Sequence, residues 1–359
     1  MPAHWRGREL FDRTDWGRRL GETELGGLRA VARQADPERL AEHGPEALAG
    51  LEPLISGLQT ELEEGAGAVL LRGVPVAAWG EEISTRAFWA LASHLGTPLS
   101  QSASGERLFH VRDHGYAPND PRYRGPSSSA RLSFHTDRCD VIAFCCLRAA
   151  DSGGENYVVS SVALYEALRR EQPDVLTVLC EPFPYLRHTV DQGNALPFCE
   201  LPVFSERDGR FGAHFLRVLI DRADRAPEAP SLTARQREAL DALETLAEDP
   251  ALHVRFRLET GDILLLNNWI TFHRRSAFID QGVPNARRLL LRIWLAMANS
   301  RPIAECFVDH FGATAAGALR GGMRHRARCP WSPTTITEAM LPPARAPGAA
   351  DHHLAHLVL

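Results

Sequence analysis

The stretch RLSFHTDRCDV, residues 131–141, decides how the rest of the chain is read. In an extended chain successive side chains alternate between two faces, so His135 and Asp137 share one. Burying an imidazole and a carboxylate together costs free energy unless something compensates them. Either the pair faces water, or a cation holds it.

The sequence around this stretch reads as a β-rich core with helices before it and within it. Strands are expected over 68–76, 131–138, 141–148, 156–161, 254–258, 262–270 and 288–297. Residues 17–64 read mostly as helix, with Leu51, Leu54, Ile55, Leu58 and Leu62 at helical spacing and Gly65 and Gly67 ending the run. Residues 81–96 form a second amphipathic helix closed by a glycine. Residues 102–130, rich in Gly, Ser, Pro and Asp, are expected to be a long loop. Between the strands lies a helical insertion, about 162–250, opened by serines able to cap its first helix. Within it, Leu240, Leu243 and Leu246 fall on one helical face. The segment beyond about 327 is expected to be loosely ordered. The fold class that follows is α+β, mainly β: a double-stranded β-helix (jelly roll) core with N-terminal helices and a helical insertion. We read 1–359 as one domain, with a helical decoration over about 1–66, the core over about 67–300 and an extension over about 301–359.

Composition removes several functions. The chain has 359 residues, a formal charge of −5 and a pI near 6.3, which gives no electrostatic case for nucleic acid or an anionic membrane. The N-terminus is charged and lacks the apolar core of a signal peptide, and no apolar run is long enough to span a bilayer, so the expected location is the cytoplasm. The seven cysteines form no CxxC pair, which disfavours a thiolate zinc site or a disulfide framework. All 40 basic residues are arginine, so no lysine of this chain can form a Schiff base.

Two downstream segments bear on the His135–Asp137 question. In GDILLLNNWITFHRRSAFID (261–280), a Gly-Asp turn is followed by an apolar strand that delivers His273 at or beyond its far end. Two imidazoles and one carboxylate on different strands are the facial-triad ligand set, which suits Fe(II) and leaves open coordination positions. One histidine among fifteen is no signal, but the strand context and the second His agree. In ARRLLLRIWLAM (286–297), Leu289, Leu291, Ile293 and Leu295 share one face and Arg288, Leu290, Arg292 and Trp294 the other. Two arginines on an inward face need anions, and a guanidinium grips a carboxylate through two parallel hydrogen bonds.

With these segments and GAVLLRGVPV, HLGTPLSQ, SGGENYVVSS and PVFS, the sequence resembles the taurine dioxygenase (TauD/TfdA-like) family, from about 50 to 305. The resemblance implies an oxygenase that uses Fe(II), 2-oxoglutarate and O2 to oxidise a C–H bond of a small molecule, by hydroxylation or by desaturation or cyclisation. It implies His135, Asp137 and His273 as iron ligands and Arg288 as the partner of the distal carboxylate of 2-oxoglutarate. Arg292 matches a second arginine that meets either co-substrate or substrate, and Asn156 stands where a hydroxyl commonly contacts 2-oxoglutarate. With Asp137 present, no coordination site is left for halide. Substrate candidates are Gln101, Ser102, Ser129, Phe134 and Arg292, together with the loop around His110 and Arg112, for a carboxylate or amino-acid-like metabolite. Arg138 is expected at the surface; His94, His214, His352 and His353 are given no role. The other reading is a jelly-roll metal-binding or sensor protein without turnover. A homo-oligomer stays open.

Overall fold

The computed structural model describes residues 3–13, 16–34, 50–116, 125–188, 191, 193–280 and 287–324. Two sheets face one another, each covered on its outer side by helices. The larger has seven strands, in the order Gly17–Arg19, Ala68–Arg72, Ile263–Asn267, Val141–Arg148, Leu289–Ala296 and Thr97–Leu99, with Leu108–Val111 also paired to Leu289–Ala296. All its pairings are antiparallel except the first. The smaller sheet has three strands, in the order His253–Phe256, Asn156–Ser160 and Thr271–Arg275.

Alternation in Leu289–Ala296 partitions as its sequence demands. Leu289, Leu291, Ile293 and Leu295 pack against the helices Glu22–Gln34, Glu52–Glu64 and Val76–Leu95. Leu290 and Trp294 turn into the space between the sheets, where they meet Val158, Val254 and Phe256 from the smaller sheet. The outer face of the smaller sheet, with Val159 and Phe272, is roofed by the insertion helices Ser161–Glu171, Pro173–Leu179, Arg217–Asp224 and Ala234–Ala247. Their ends are specified locally. Ser160 Oγ accepts from Ala163 N at 3.0 Å, and Thr233 and Gln236 form a reciprocal capping box. Leu240 and Leu243 are buried; Leu246 is partly so.

Five expectations are corrected. Residues 131–138 are not a strand: only His135 pairs, in single bridges to Leu216 and His273. The strand expected over 262–270 ends at Asn267, and His273 lies in the middle of Thr271–Arg275, which belongs to the other sheet. Asn267 makes that switch, because its Oδ1 accepts from Trp269 N at 2.9 Å while its carbonyl accepts from Thr271 Oγ1 at 2.8 Å. The loop expected over 102–130 contains the strand Leu108–Val111, and the helical stretch 17–64 begins with the strand Gly17–Arg19. Finally, Arg138 is buried rather than at the surface, and pairs with Asp191 at 2.7 Å.

Gly261 closes the turn into Ile263–Asn267 at φ +92, where an added Cβ would lie 2.1 Å from Val74 O, so no other residue fits. Among the described residues no helix is long and apolar enough to cross a membrane, and Cys139, Cys145, Cys146, Cys180, Cys199 and Cys306 are free thiols. Cys329, His352, His353 and the segment beyond 327 lie outside the described residues.

Candidate metal centre

His135, Asp137 and His273 are brought together between the sheets, with one ligand atom of each within 4.8 Å of the others. Asp137 Oδ2 stands 4.0 Å from His135 Nε2 and 3.5 Å from His273 Nε2. Paired backbone hydrogen bonds between His135 and His273, at 3.0 and 3.1 Å, fix the two imidazoles 4.4 Å apart, centroid to centroid. The long-range pairing expected of a strand is thus reduced here to bridges at one residue, the ligand His135 itself.

The surroundings orient each ligand. His135 Nδ1–H donates to Ser133 O at 2.8 Å, which leaves the Nε2 lone pair free. Burial, and next the neighbouring His273, bring its pKa down to about 4, so the ring is neutral near pH 7. Asp137 N donates to Asn268 Oδ1 at 2.9 Å, and Asn268 Nδ2 donates to Cys139 Sγ at 3.1 Å. Burial raises the Asp137 pKa, but Arg292 and His273 more than offset it and hold the group as a carboxylate. Asp137 Oδ2 and His273 Nδ1 are buried without a hydrogen-bond partner. A carboxylate oxygen with no partner, aimed at two imidazoles, is a donor set that fits a divalent transition metal.

The inward arginines differ. Arg292 Nε donates to Gln101 Oε1 at 2.7 Å, and its NH1 lies 3.6 Å from Asp137 Oδ1. Phe109 and Trp294 flank the guanidinium at 5.4 and 5.0 Å. Arg288 is buried too, but its NH1 has no partner. Its guanidinium lies 4.8 Å from the Phe278 ring centroid, and a Cβ added at Gly154 would come within 3.5 Å of its Nε. Burial drives its pKa down to about 10 despite Cys146 and Asp280, as expected of a cation that still wants an anion. Asn156 Nδ2 is a second buried donor without a partner, on the inner face of the smaller sheet. Two unpaired donors fit a carboxylate-bearing co-substrate.

The substrate candidates separate. Gln101 is fully buried and committed, since its Nε2 donates to Arg107 O and Arg292 O at 2.9 and 3.0 Å. Ser102 Oγ holds the turn that follows it, 3.0 Å from Ser104 Oγ. Phe134 turns to the outer side of the smaller sheet and packs near His253. Ser129 accepts from Phe278 N through its carbonyl at 3.0 Å, which places it beside the Arg288–Phe278 contact. His110 lies opposite Leu291 in the strand pairing, and burial lowers its pKa. Three contributors were missed in the sequence: Asn268, Phe144, whose ring is 6.0 Å from that of His273, and Arg275, whose guanidinium lies 4.7 Å from the Phe278 ring that Arg288 also approaches. The doublet Asn267-Asn268 at the end of an apolar run was the one available signal.

A family model described as "Taurine catabolism dioxygenase TauD, TfdA family" matches residues 38–294. The chain belongs to the TauD/TfdA family. FR-33289 synthase from Streptomyces rubellomurinus is 32% identical over 330 residues, covering 85% of this chain and 92% of that protein. Taurine hydroxylase-like protein SAT17 from Stachybotrys chartarum is 28% identical over 303 residues, 80% of this chain and 77% of that one. Asparagine oxygenase, solved with Fe(II), 2S,3S-3-hydroxyasparagine and succinate, shares the fold at TM-score 0.59 and 19% identity, over 78% of this chain and 93% of that one. This TauD/TfdA-family member is an Fe(II)- and 2-oxoglutarate-dependent dioxygenase acting on a small molecule, with Fe(II), 2-oxoglutarate and O2 as its cofactors.

Proposed function

We propose that His135, Asp137 and His273 hold the iron, that Arg288 pairs with the distal carboxylate of 2-oxoglutarate with Asn156 donating a further hydrogen bond, and that the reaction is hydroxylation of a carboxylate or amino-acid-like metabolite. The observation that carries the reading is the coexistence, between the same two sheets, of an unpartnered Asp137 Oδ2 beside two imidazoles and an unpartnered buried Arg288 NH1. The former calls for a cation and the latter for an anion, and Fe(II) with 2-oxoglutarate satisfies both. When bound, this pair supplies the oxidising power: O2 is consumed, 2-oxoglutarate loses CO2 to become succinate, and a substrate C–H is oxidised.

The residues do the rest. His135 and His273 offer imidazole nitrogens, and Asp137 offers the charge. Asn268 fixes the backbone that aims Asp137. Arg292, steadied by Gln101, sets the field at Asp137 and leaves guanidinium NH groups toward the site, where a substrate carboxylate would pair with them. Phe109, Phe144 and Trp294 line the inner face around it and exclude water. Of the substrate candidates, Ser129 and Arg292 are retained as contacts; Gln101 and Ser102 act behind them, and Phe134 on the far side. The neighbour solved with a hydroxylated amino acid supports the amino-acid-like class. We read the two sheets as a jelly roll, the chain as one oxygenase domain, and the location as cytoplasmic.

The test is anaerobic addition of Fe(II) and 2-oxoglutarate to metal-free protein, followed by O2 and a succinate assay. A visible charge-transfer band and succinate are expected in the wild type, and neither in Asp137→Ala. Succinate formation that survives Asp137→Ala and His135→Ala would overturn the ligand assignment.

A further inference from the structure

The smaller sheet carries a second chemistry on its other face. Its register places Arg255, Tyr157 and Arg274 in one row across all three strands. Because the row next to it contains Val254, Val158 and His273, the arginine row points away from the metal centre. Arg274 lies 3.4 Å from the Tyr157 ring centroid and Arg255 5.8 Å from it. This row lines a cavity of about 420 Å³ together with Arg8, Phe11, His253 and Glu248. That volume is in the range of small-molecule sites.

The lining has an excess of positive charge. Three guanidinium groups, of Arg8, Arg255 and Arg274, line it against the one carboxylate of Glu248; Arg255 is also paired with Glu155 at 3.0 Å, so the excess rests on Arg8 and on Arg274. Glu248 is already engaged, by Arg274 at 2.6 Å and by Arg131 at 2.6 Å. Arg274 is more than nine-tenths buried, yet its Nε has no hydrogen-bond partner. The orphan Nε leaves this buried guanidinium one acceptor short at the wall of the cavity, while its NH2 is held by Glu248. The walls are flat as well as cationic: the Tyr157 and His253 rings meet edge to face at 5.2 Å, and Phe11 is 44% exposed at the rim. Guanidinium planes and aromatic rings together favour a planar apolar body.

We propose that this cavity is a second ligand site, for a small aromatic carboxylate, back to back with the metal centre. Its position gives it a route to that centre. Arg274 directly follows His273 in the chain, and Phe134, 5.1 Å beneath the Arg274 guanidinium, directly precedes His135. A ligand on Arg274 thus rests on the neighbours of both histidines.

The experiment uses the full chain loaded anaerobically with Fe(II) and 2-oxoglutarate, so that the metal centre is already filled. Calorimetric titration with 1-naphthoate is expected to show one binding site, weakened at least tenfold in the double variant Arg8→Ser/Arg255→Ser. Both substituted side chains are exposed, so the fold is retained. The charge-transfer band is expected to persist at saturating 1-naphthoate. The proposal is overturned if 1-naphthoate shows no binding up to millimolar concentration, if the double variant binds it as tightly as the wild type, or if the band disappears as 1-naphthoate displaces 2-oxoglutarate.

Discussion

Arg292 NH1 stands 3.6 Å from Asp137 Oδ1, so the carboxylate offered to the metal shares its field with a buried guanidinium. The geometry depends on Gln101, which accepts from Arg292 Nε and donates to two backbone carbonyls. Gln101→Ala leaves these buried groups unpaired. It should lower unfolding stability by about 1–3 kcal/mol, read from the midpoint of urea denaturation. An unchanged midpoint would show that water replaces the amide.

Acid should destabilise the metal-free protein well before its carboxylates titrate. Burial brings His135 to about 4 and His214 to about 3, whereas unfolded histidines titrate near 6.5. Between these limits the unfolded chain binds more protons, so stability falls as pH drops from about 6.5 toward 4. Thermal unfolding from pH 7.5 to 4.5 should show this slope, and His214→Asn should flatten it. A level profile would mean that the rings are solvated.

Asn268 does not touch the metal position; it holds the backbone of the residue that does. Asn268→Ala should weaken Fe(II) binding about tenfold, since groups that orient a ligand commonly contribute that much. Competition against a metal chelator measures it directly.

Co-substrate affinity should divide unequally between two donors. Arg288→Ala removes a buried charge-assisted contact, and KM for 2-oxoglutarate should rise at least about 30-fold, equivalent to ~2 kcal/mol. Asn156→Ala removes one neutral hydrogen bond, and a rise of roughly fivefold is expected. Fe(II) affinity measured without co-substrate should stay unchanged in both. Equal effects on KM would place the distal carboxylate elsewhere.

The buried pair Arg320–Asp140 ties residues 301–324 to the sheets. Asp140 Oδ1 accepts from Arg320 Nε at 2.7 Å and from Trp269 Nε1 at 2.8 Å, and Arg320 NH2 donates to Arg301 O at 2.8 Å. Arg320→Leu strands a buried carboxylate and should cost about 3 kcal/mol, followed by tryptophan fluorescence during denaturation. A loss under 1 kcal/mol would mean that Asp140 is satisfied without it.

The sequence by itself determined the local terms. The ligand types, the partition of Leu289–Ala296 into an apolar and an arginine-bearing face, and the capped helices of the insertion follow from periodicities of 2 and 3.6 and from capping chemistry. Tertiary structure decided everything that depends on which strand pairs with which. His273 belongs to the smaller sheet because a side-chain hydrogen bond at Asn267 turns the chain out of the larger one. The segment 131–138, strand-like in its alternation, gains a ladder contact only at His135. Arg138 could not be recognised as buried, because its partner Asp191 is 53 residues away and a carboxylate at that range leaves no periodic trace. Alternation assigns residues to faces, but only packing says what each face meets. His273 therefore looks into the metal centre while Arg274, one residue on, looks into a cavity on the other side.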